Sequence, residues 1–553
     1  MKNKGFTLVE LLAVIVVLAV IAVISTPIIL GVIETAKQGA AKSSVLGYVD
    51  TIEKYAMVSQ LDSSKDLING TYLVEEMNNL VSLKGEAPTS GVVVVNESGE
   101  VTLASVCINN YKVDYTFSNA SIDSLNTCDE IDTNLSTIGY SIQKKVNAPV
   151  LATGMTPIKW VDGVETVTTE EDLEWYDYDN KLWANAKTAD GSYWVWIPRY
   201  AYKITSGYHS SDAGSIDVKF LVGTSDIAVD GTNLLSSGYI AGTIDTSTNY
   251  FVHPVFQNDL NELGFWVAKF ESTALEGVEN EYITNWSCPI EGDNVSTKTI
   301  QSLPNATSWR CINISTAYKA ALAMKKNTVY GWEESSVDTH METNLELGAI
   351  YYLTLSDYGA NTNEVYINNN QNYITGCAGS TASAGTSTSA TCTNPYNSSN
   401  GVRASTTWNI TGVYDMSGGS SEKIMAVYNN IISSSGFTTN EFNALTDSHI
   451  TKYTTSSNDM LNNIGMDYDL TVYGDGIYET SKGANQYNGT EWSSRPAGGW
   501  NTETSYLPSY YGPWFERGTR FDYSSIAGLG AFSDTYGGAN SVSSFRAIVS
   551  VIK

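Results

Sequence analysis

The sequence predicts an α+β protein: a long N-terminal helix with a small β-rich head, followed by a large mixed α/β domain. Three observations lead there. The segment Leu11 to Ile33 is almost wholly apolar, and apolar residues continue after it at helical spacing. Residues 91–117 carry β-rich runs separated by turn residues. From about residue 146 the chain changes to aromatic-rich strand patterns, polar loops and two helical patterns. At 553 residues, a prior of roughly one domain per 150 residues allows three or four units.

Composition narrows the function classes. The formal charge is −28, so the chain is not expected to hold nucleic acid by neutralising phosphates. Charged residues make up 16 % and aromatics 11 %, with 35 Tyr and 13 Trp, which argues against a disordered acidic tail. Tyr, Ser, Asn, Gly and Thr are abundant, as they are in binding surfaces. Only four histidines are present, which speaks against a His-rich metal site, and no metal or other cofactor is expected.

The N-terminus reads MKNKG and then FTLVELLAVIVVLAVIAVISTPIILGVIETA. An apolar run of about 20 residues is long enough to cross a bilayer as a helix. It exceeds the apolar region of an ordinary secretory signal, and Gly5 precedes the run instead of following it. Lys2 and Lys4 favour a cytoplasmic N-terminus, so the bulk of the chain lies outside. Glu10 is the anomaly, because a carboxylate at the edge of an apolar helix calls for a partner. Cleavage after Gly5 would place the new amino group of Phe6 one helical turn away, on the same or a neighbouring chain. The plain alternative is a snorkelling residue on a simple anchor. Beyond the apolar run, Val45, Val49, Ile52, Tyr55 and Ala56 form one stripe, so a single helix is expected over 6–60, half in membrane (about 11–33) and half under the head. Gly47 interrupts it mildly.

Residues Lys4, Gly5, Phe6, Thr7, Leu8, Val9, Glu10, Leu11 and Leu12 closely resemble the type IV prepilin and pseudopilin family. The resemblance implies a leader of residues 1–5, cleavage between Gly5 and Phe6 by prepilin peptidase, and N-methylation of Phe6. It implies that Glu10 sets the register between stacked subunits, and Pro27 matches a proline that kinks many pilin helices. Membrane lipid before assembly and other pilin subunits afterwards are the implied partners.

The small head is expected over 61–145. TYLVEE reads as a short strand or a helix start, GVVVVNESGEVTLASVCI as two strands around Asn96 to Gly99, and YKVDYTFS as a third. The six cysteines fall into sequence-local pairs, Cys107 with Cys128, Cys288 with Cys311, and Cys377 with Cys392. Six cysteines allow 15 pairings, and the short loops favour these local ones. A zinc site competes, but no C-x-x-C spacing is present.

In the large domain, 146–553, SYWVWIPRYAYKI reads as a strand with alternating aromatics ended by Pro198, and GFWVAKFES as another. Residues 314–328 read as an amphipathic helix with Ala317, Ala320, Ala321 and Met324 on one face, and residues 341–353 as a second helix. Residues 377–407 read as a loop. Asp467, Asp469, Asp475 and Glu479 lie close in sequence without the spacing of an EF-hand and read as a solvated hairpin. Glu170, Glu171, Asp172 and Glu174 read as a charged face. His340 and Glu346 are near each other without a nucleophile placed beside them, and His253 before Pro254 reads as structural.

TGVYDMSGGSSE at 411–422 and SSFRAIVSV at 543–551 resemble the signature loop and closing strand of formylglycine-generating-enzyme-like domains, which have a C-type-lectin-like fold. Tyr414, Asp415, Met416, Ser417, Gly418 and Glu422 match individually, whereas Gly419 and Ser421 depart from the family's Asn and Trp. That enzyme uses a copper-binding cysteine pair near its C-terminus, and this chain has no cysteine after Cys392, so no enzymatic activity is expected. The same fold carries binding proteins that display variable side chains on a fixed backbone. By that likeness Gly498, Gly499, Trp500, Phe545 and Arg546 are frame. Asn501, Tyr506, Tyr510, Tyr511, Trp514, Arg517, Arg520, Asp522, Tyr523 and Tyr536 are candidate contacts to a protein or glycan ligand. The expectation is a minor or tip pilin or pseudopilin at the bacterial surface displaying a non-catalytic adhesion domain. The alternatives are a pseudopilin of a type II secretion or DNA-uptake machine, a membrane-tethered enzyme of the formylglycine-generating type, and an unprocessed anchor.

Overall fold

A computed structural model of the chain describes residues 8–61, 70–83, 86–96, 98–116, 119–122, 128, 140–141, 146–170, 172, 174–229, 250–279, 288, 293–455, 468–469, 471–487, 489–490 and 498–552. The chain divides into two compact units, Met1–Ile138 with Val229–Asn233, and Gly139–Ala228 with Leu234–Lys553. The sequence places that boundary at 145/146.

The first unit is built on one helix of 54 residues, Leu8–Leu61. Its C-terminal half packs on a five-stranded antiparallel sheet, in the order Gly70–Leu73, Ser90–Val95, Val101–Ile108, Tyr111–Thr116 and Asn119–Ser121. Ala41, Val45, Tyr48, Val49, Ile52 and Ala56 are buried with Val93, Val95, Val106, Ile108 and Val113. Four residues of the predicted stripe are therefore core, and Tyr55 is half-buried beside them. Two polar contacts set how the helix lies on the sheet: the Val101 N–H donates to Glu53 Oε1 at 3.0 Å, and the Tyr111 hydroxyl donates to Glu34 Oε1 at 2.8 Å. TYLVEE is both things the sequence allowed, a strand Gly70–Leu73 running straight into a helix Val74–Leu80. The Leu73 N–H donates to the Glu76 carboxylate, which closes the first turn.

The second unit carries a seven-stranded sheet in the order Val337–Met341, Ala547–Val551, Gly264–Ala268, Tyr193–Pro198, Asn185–Lys187, Thr156–Val161 and Val164–Val167, antiparallel throughout. The last strand of the chain is thus inserted between two earlier ones. Tyr193–Pro198 is buried at all six positions, so the expected alternation is absent because both faces are covered. A second sheet runs Thr451–Tyr453, Ser421–Tyr428, Trp514–Arg517 and Phe532–Thr535, with Ser543–Phe545 added in parallel to Ser421–Tyr428.

The helix Ile314–Ala323 buries Ala317, Ala320 and Ala321, and Met324 follows in a short 3-10 turn. The second helix is Asn344–Leu355, not 341–353, because 337–341 is a strand and Thr343 is the cap. Thr343 and Glu346 form a capping box, the Thr343 N–H donating to Glu346 Oε2 at 2.9 Å. The loop 377–407 holds one 3-10 turn, Gly401–Ala404. All three local disulfides are present, Cys107–Cys128, Cys288–Cys311 and Cys377–Cys392.

The residues behind the second resemblance meet in the core. The Arg546 guanidinium is fully buried and pairs with the Glu422 carboxylate, its Nε donating to Oε1 at 3.1 Å. Its remaining N–H groups reach Ala268 O at 2.6 Å and Tyr414 O at 2.8 Å. Removing one partner of a buried pair leaves the other charge uncompensated, so Arg546→Met should destabilise this unit by about 3–5 kcal/mol, and Arg546→Met/Glu422→Leu should recover much of the loss. All 13 tryptophans lie between Trp160 and Trp514, so tryptophan fluorescence during denaturant unfolding reports this unit alone.

Candidate functional site

Gly5 and Phe6 lie outside the described residues. Glu10 and Pro27 lie within the helix Leu8–Leu61, and their side chains are likewise outside the description. The described apolar side chains of this half are exposed along their length, Leu8 at 83 %, Val16 at 53 % and Val32 at 65 %, where a soluble monomer rarely exposes a contiguous apolar patch. Among the described residues no helix is long and apolar enough to cross a membrane. The span expected at 11–33 falls partly outside that set, at residues 21–22, 24–25 and 27–28.

The ten candidate ligand contacts do not behave alike. Trp514 and Arg517 are buried on the strand Trp514–Arg517 and cannot meet a ligand. Trp514 donates its indole N–H to Ile432 O and stacks on Phe437. Arg517 donates to Asn344 Oδ1 at 3.1 Å and Asp475 O at 2.9 Å. Sequence counted them as display residues because chemistry alone does not show which face of a strand is covered. Asn501, Tyr510, Tyr511, Asp522 and Tyr536 are exposed, and Tyr506, Arg520 and Tyr523 are half-buried. Tyr510 and Tyr511 meet edge to face, and Tyr487 joins Tyr511. Arg520 forms a bidentate pair with Asp522 and lies over the Tyr523 ring.

Asn501 belongs to a different feature. It opens a cleft of about 110 Å³ with Asn361, Asn363, Glu364, Trp500 and Glu503. Glu503 Oε2 is buried with no hydrogen-bond partner. Gly528 and Gly530 make room for this carboxyl, since a Cβ at Gly528 would fall 1.7 Å from Oε1 and one at Gly530 2.5 Å from Oε2. Burial, with the neighbouring Glu364 charge adding to it, pushes Glu503 up to about 8. The cleft floor is therefore a neutral carboxylic acid at pH 7, able to donate as well as accept. The signal in the sequence was the AGLG run at 527–530, which only the fold connects to Glu503.

The acidic cluster is not a solvated hairpin. Asp475 and Glu479 are fully buried, and each is spent on tyrosine hydroxyls. Tyr453 and Tyr468 donate to Asp475 Oδ2, while Tyr202 and Tyr352 donate to Glu479. Asp469 accepts from Thr454 and Thr471, and Asp467 lies outside the described residues. Glu174 and Asp172 pair with Lys159 at the surface. His253 is buried, its Nε2 2.6 Å from Gly474 O, and desolvation lowers it to about 3, so it stays neutral.

His340 and Glu346, noted as sequence neighbours, do meet. His340 Nε2 is 2.8 Å from Glu346 Oε1. On its other side His340 Nδ1 lies 2.8 Å from Asp338 Oδ1, and His449 Nε2 reaches that same oxygen at 2.8 Å. His449 Nδ1 is held by the Tyr318 hydroxyl at 3.1 Å. Burial opposes charge on His340, but the Glu346 charge and the two carboxylate hydrogen bonds outweigh it and hold the imidazole protonated to about 10. Asp338 and His449 stand 111 residues apart in sequence, so nothing in the linear pattern pointed to this group.

Residues 1–26 match the prokaryotic N-terminal methylation motif. The match supports a type IV pilin-like protein that is processed as a prepilin. That class implies cleavage by prepilin peptidase and assembly with other pilins. No curated protein matches the chain.

The Glu503 carboxyl yields a pH prediction. Its folded pKa of about 8 stands above the ordinary 4.5, so between those values the folded protein keeps a proton that the unfolded chain has released. Stability is therefore lost as pH rises from 4.5 to 8. Glu503→Gln should raise the Tm at pH 8 by roughly 3–5 °C and leave it unchanged below pH 4.5, as read by thermal unfolding at a series of pH values.

Proposed function

We propose that this chain is a minor or tip subunit of a type IV pilus or pseudopilus, displaying its C-terminal unit as a non-catalytic adhesion domain. Prepilin peptidase cuts between Gly5 and Phe6, and Phe6 is N-methylated. Before assembly the helix holds the chain in the bacterial membrane by a single pass with a cytoplasmic N-terminus. It then leaves lipid for a helical bundle at the cell surface, with Glu10 setting the register. The observation that carries this reading is the motif match over residues 1–26, and the exposed apolar side chains that follow it support it. A unit of more than 400 residues is bulky for every subunit of a shaft, which favours a minor or tip position.

The display role rests on the C-terminal surface, which we read as C-type-lectin-like. Tyr510, Tyr511 and Tyr536 present rigid amphipathic rings, and the cleft at Asn501 and Glu503 presents amide and carboxyl groups. At about 110 Å³ the cleft is smaller than sites that enclose small molecules, so it suits a protruding edge of a larger glycan or protein. All six cysteines are spent in disulfides, which leaves no thiolate for catalysis.

Mass spectrometry of protein sheared from the cell surface tests the first half. The expected chain begins at N-methylated Phe6, and a chain that keeps Met1 to Gly5 and stays in the membrane refutes the pilin mechanism. Glu10→Val should leave cleavage intact while depleting the sheared fraction at least tenfold. For the second half, Tyr510→Ala/Tyr511→Ala should weaken adhesion to host or neighbouring cells about tenfold or more with an unchanged Tm.

A further inference from the structure

The Asp338, His340 and His449 group has the chemistry of a ligand set. One carboxylate oxygen and two imidazole nitrogens converge from the strand Val337–Met341 and from the 3-10 turn Asp447–His449, all within 4.8 Å of one another. Two of the four histidines of the whole chain stand here, their rings stacked at 4.6 Å. The outward nitrogen of each is fixed by a further group, Glu346 for His340 and Tyr318 for His449. Such partners orient metal-binding imidazoles and raise their basicity. Among the described residues, neither Asp338 nor Glu346 pairs with a Lys or Arg. Two buried carboxylates therefore face two imidazoles, and a dication would balance the two carboxylate charges. The side chains of Asp338 and His449 keep 11 % and 10 % of their surface, whereas that of His340 keeps none.

We propose that Asp338, His340 and His449 bind a zinc-class divalent transition metal, through Asp338 Oδ, His340 Nδ1 and His449 Nε2, with a fourth position open to water. An N,N,O set suits zinc, cobalt or nickel and not calcium. An ion about 2.0–2.1 Å from each atom needs those atoms roughly 3.3 Å apart, so the 2.8 Å contacts must open by about half an ångström and the two nitrogens, within 4.8 Å of each other, must settle at the same spacing. Binding releases the proton on His340 Nδ1 to solvent, and the Nε2 N–H stays hydrogen-bonded to Glu346. The ion ties the edge strand Val337–Met341 of the first sheet to the segment entering the second, so its role is to brace the displayed unit.

The test uses the full chain in detergent, treated with chelator and dialysed against a slight excess of zinc chloride. Elemental analysis after gel filtration should find one zinc per chain, and His449→Ala should hold less than a tenth of that. Saturating zinc at about 100 times Kd should raise the Tm by about 3 °C. Cobalt(II) at the same stoichiometry should give the visible absorption of a four-coordinate N/O site. Glu346→Gln should weaken zinc binding about 10–100-fold. Absence of stoichiometric zinc in the natural chain overturns the proposal, as does full stoichiometry in folded Asp338→Asn and His449→Ala. If those variants fail to fold, the natural chain's zinc content and its cobalt spectrum still decide the matter.

Discussion

The guanidinium of Arg546 is the point on which the C-terminal unit depends. It sits one residue before the strand Ala547–Val551, which is inserted between Gly264–Ala268 and Val337–Met341. Its hydrogen bonds reach Ala268 in the first sheet, Glu422 in the second, and the Tyr414 carbonyl in the loop between them. A fixed planar fork with five donors satisfies three separate elements at once and meets the carboxylate in its own plane. Burial makes the arrangement unforgiving, because each unmet partner is a desolvated charge or carbonyl. The strand Ala547–Val551 thus closes the first sheet, and the stretch between 422 and 546 combines buried strands with exposed segments.

That combination shows in the stretch 498–540. Its strand Trp514–Arg517 is frame, buried at every position, while the segments on either side carry the exposed tyrosines and the cleft. The polar interior follows the same logic. Asp475 and Glu479 are paired with tyrosine hydroxyls and Lys269 with the carbonyls of Ile410 and Gly412. With 35 tyrosines available, buried carboxylates can be satisfied without salt bridges. Tyrosine thus serves inside as a hydroxyl donor and outside as a contact surface, and composition alone cannot divide the two uses.

In the first unit the controlling constraint is the apolar helix. Its C-terminal half buries Val45, Val49 and Ile52 on its own sheet, and its N-terminal half leaves the described apolar side chains uncovered. One stripe is covered within this unit, and the described apolar side chains of the other half are exposed. The long helix and the methylation segment are legible because they are local: a run of apolar residues, a glycine, a phenylalanine and a carboxylate at fixed spacing.

The sequence by itself determined the features that depend on neighbours along the chain. These are the helix stripe, the strands of the head, the helix at 314, and the short-loop disulfides. Register and periodicity encode them, and a few residues suffice to read each one. Only the tertiary structure decided which side of Trp514–Arg517 is covered, that Asp475 and Glu479 lie inside, that two glycines make room for Glu503, and that His449 joins Asp338 and His340. These outcomes rest on contacts between segments separated along the chain or on coverage by a second layer. Such contacts arise from the packing of whole elements, for which no local spacing carries a mark.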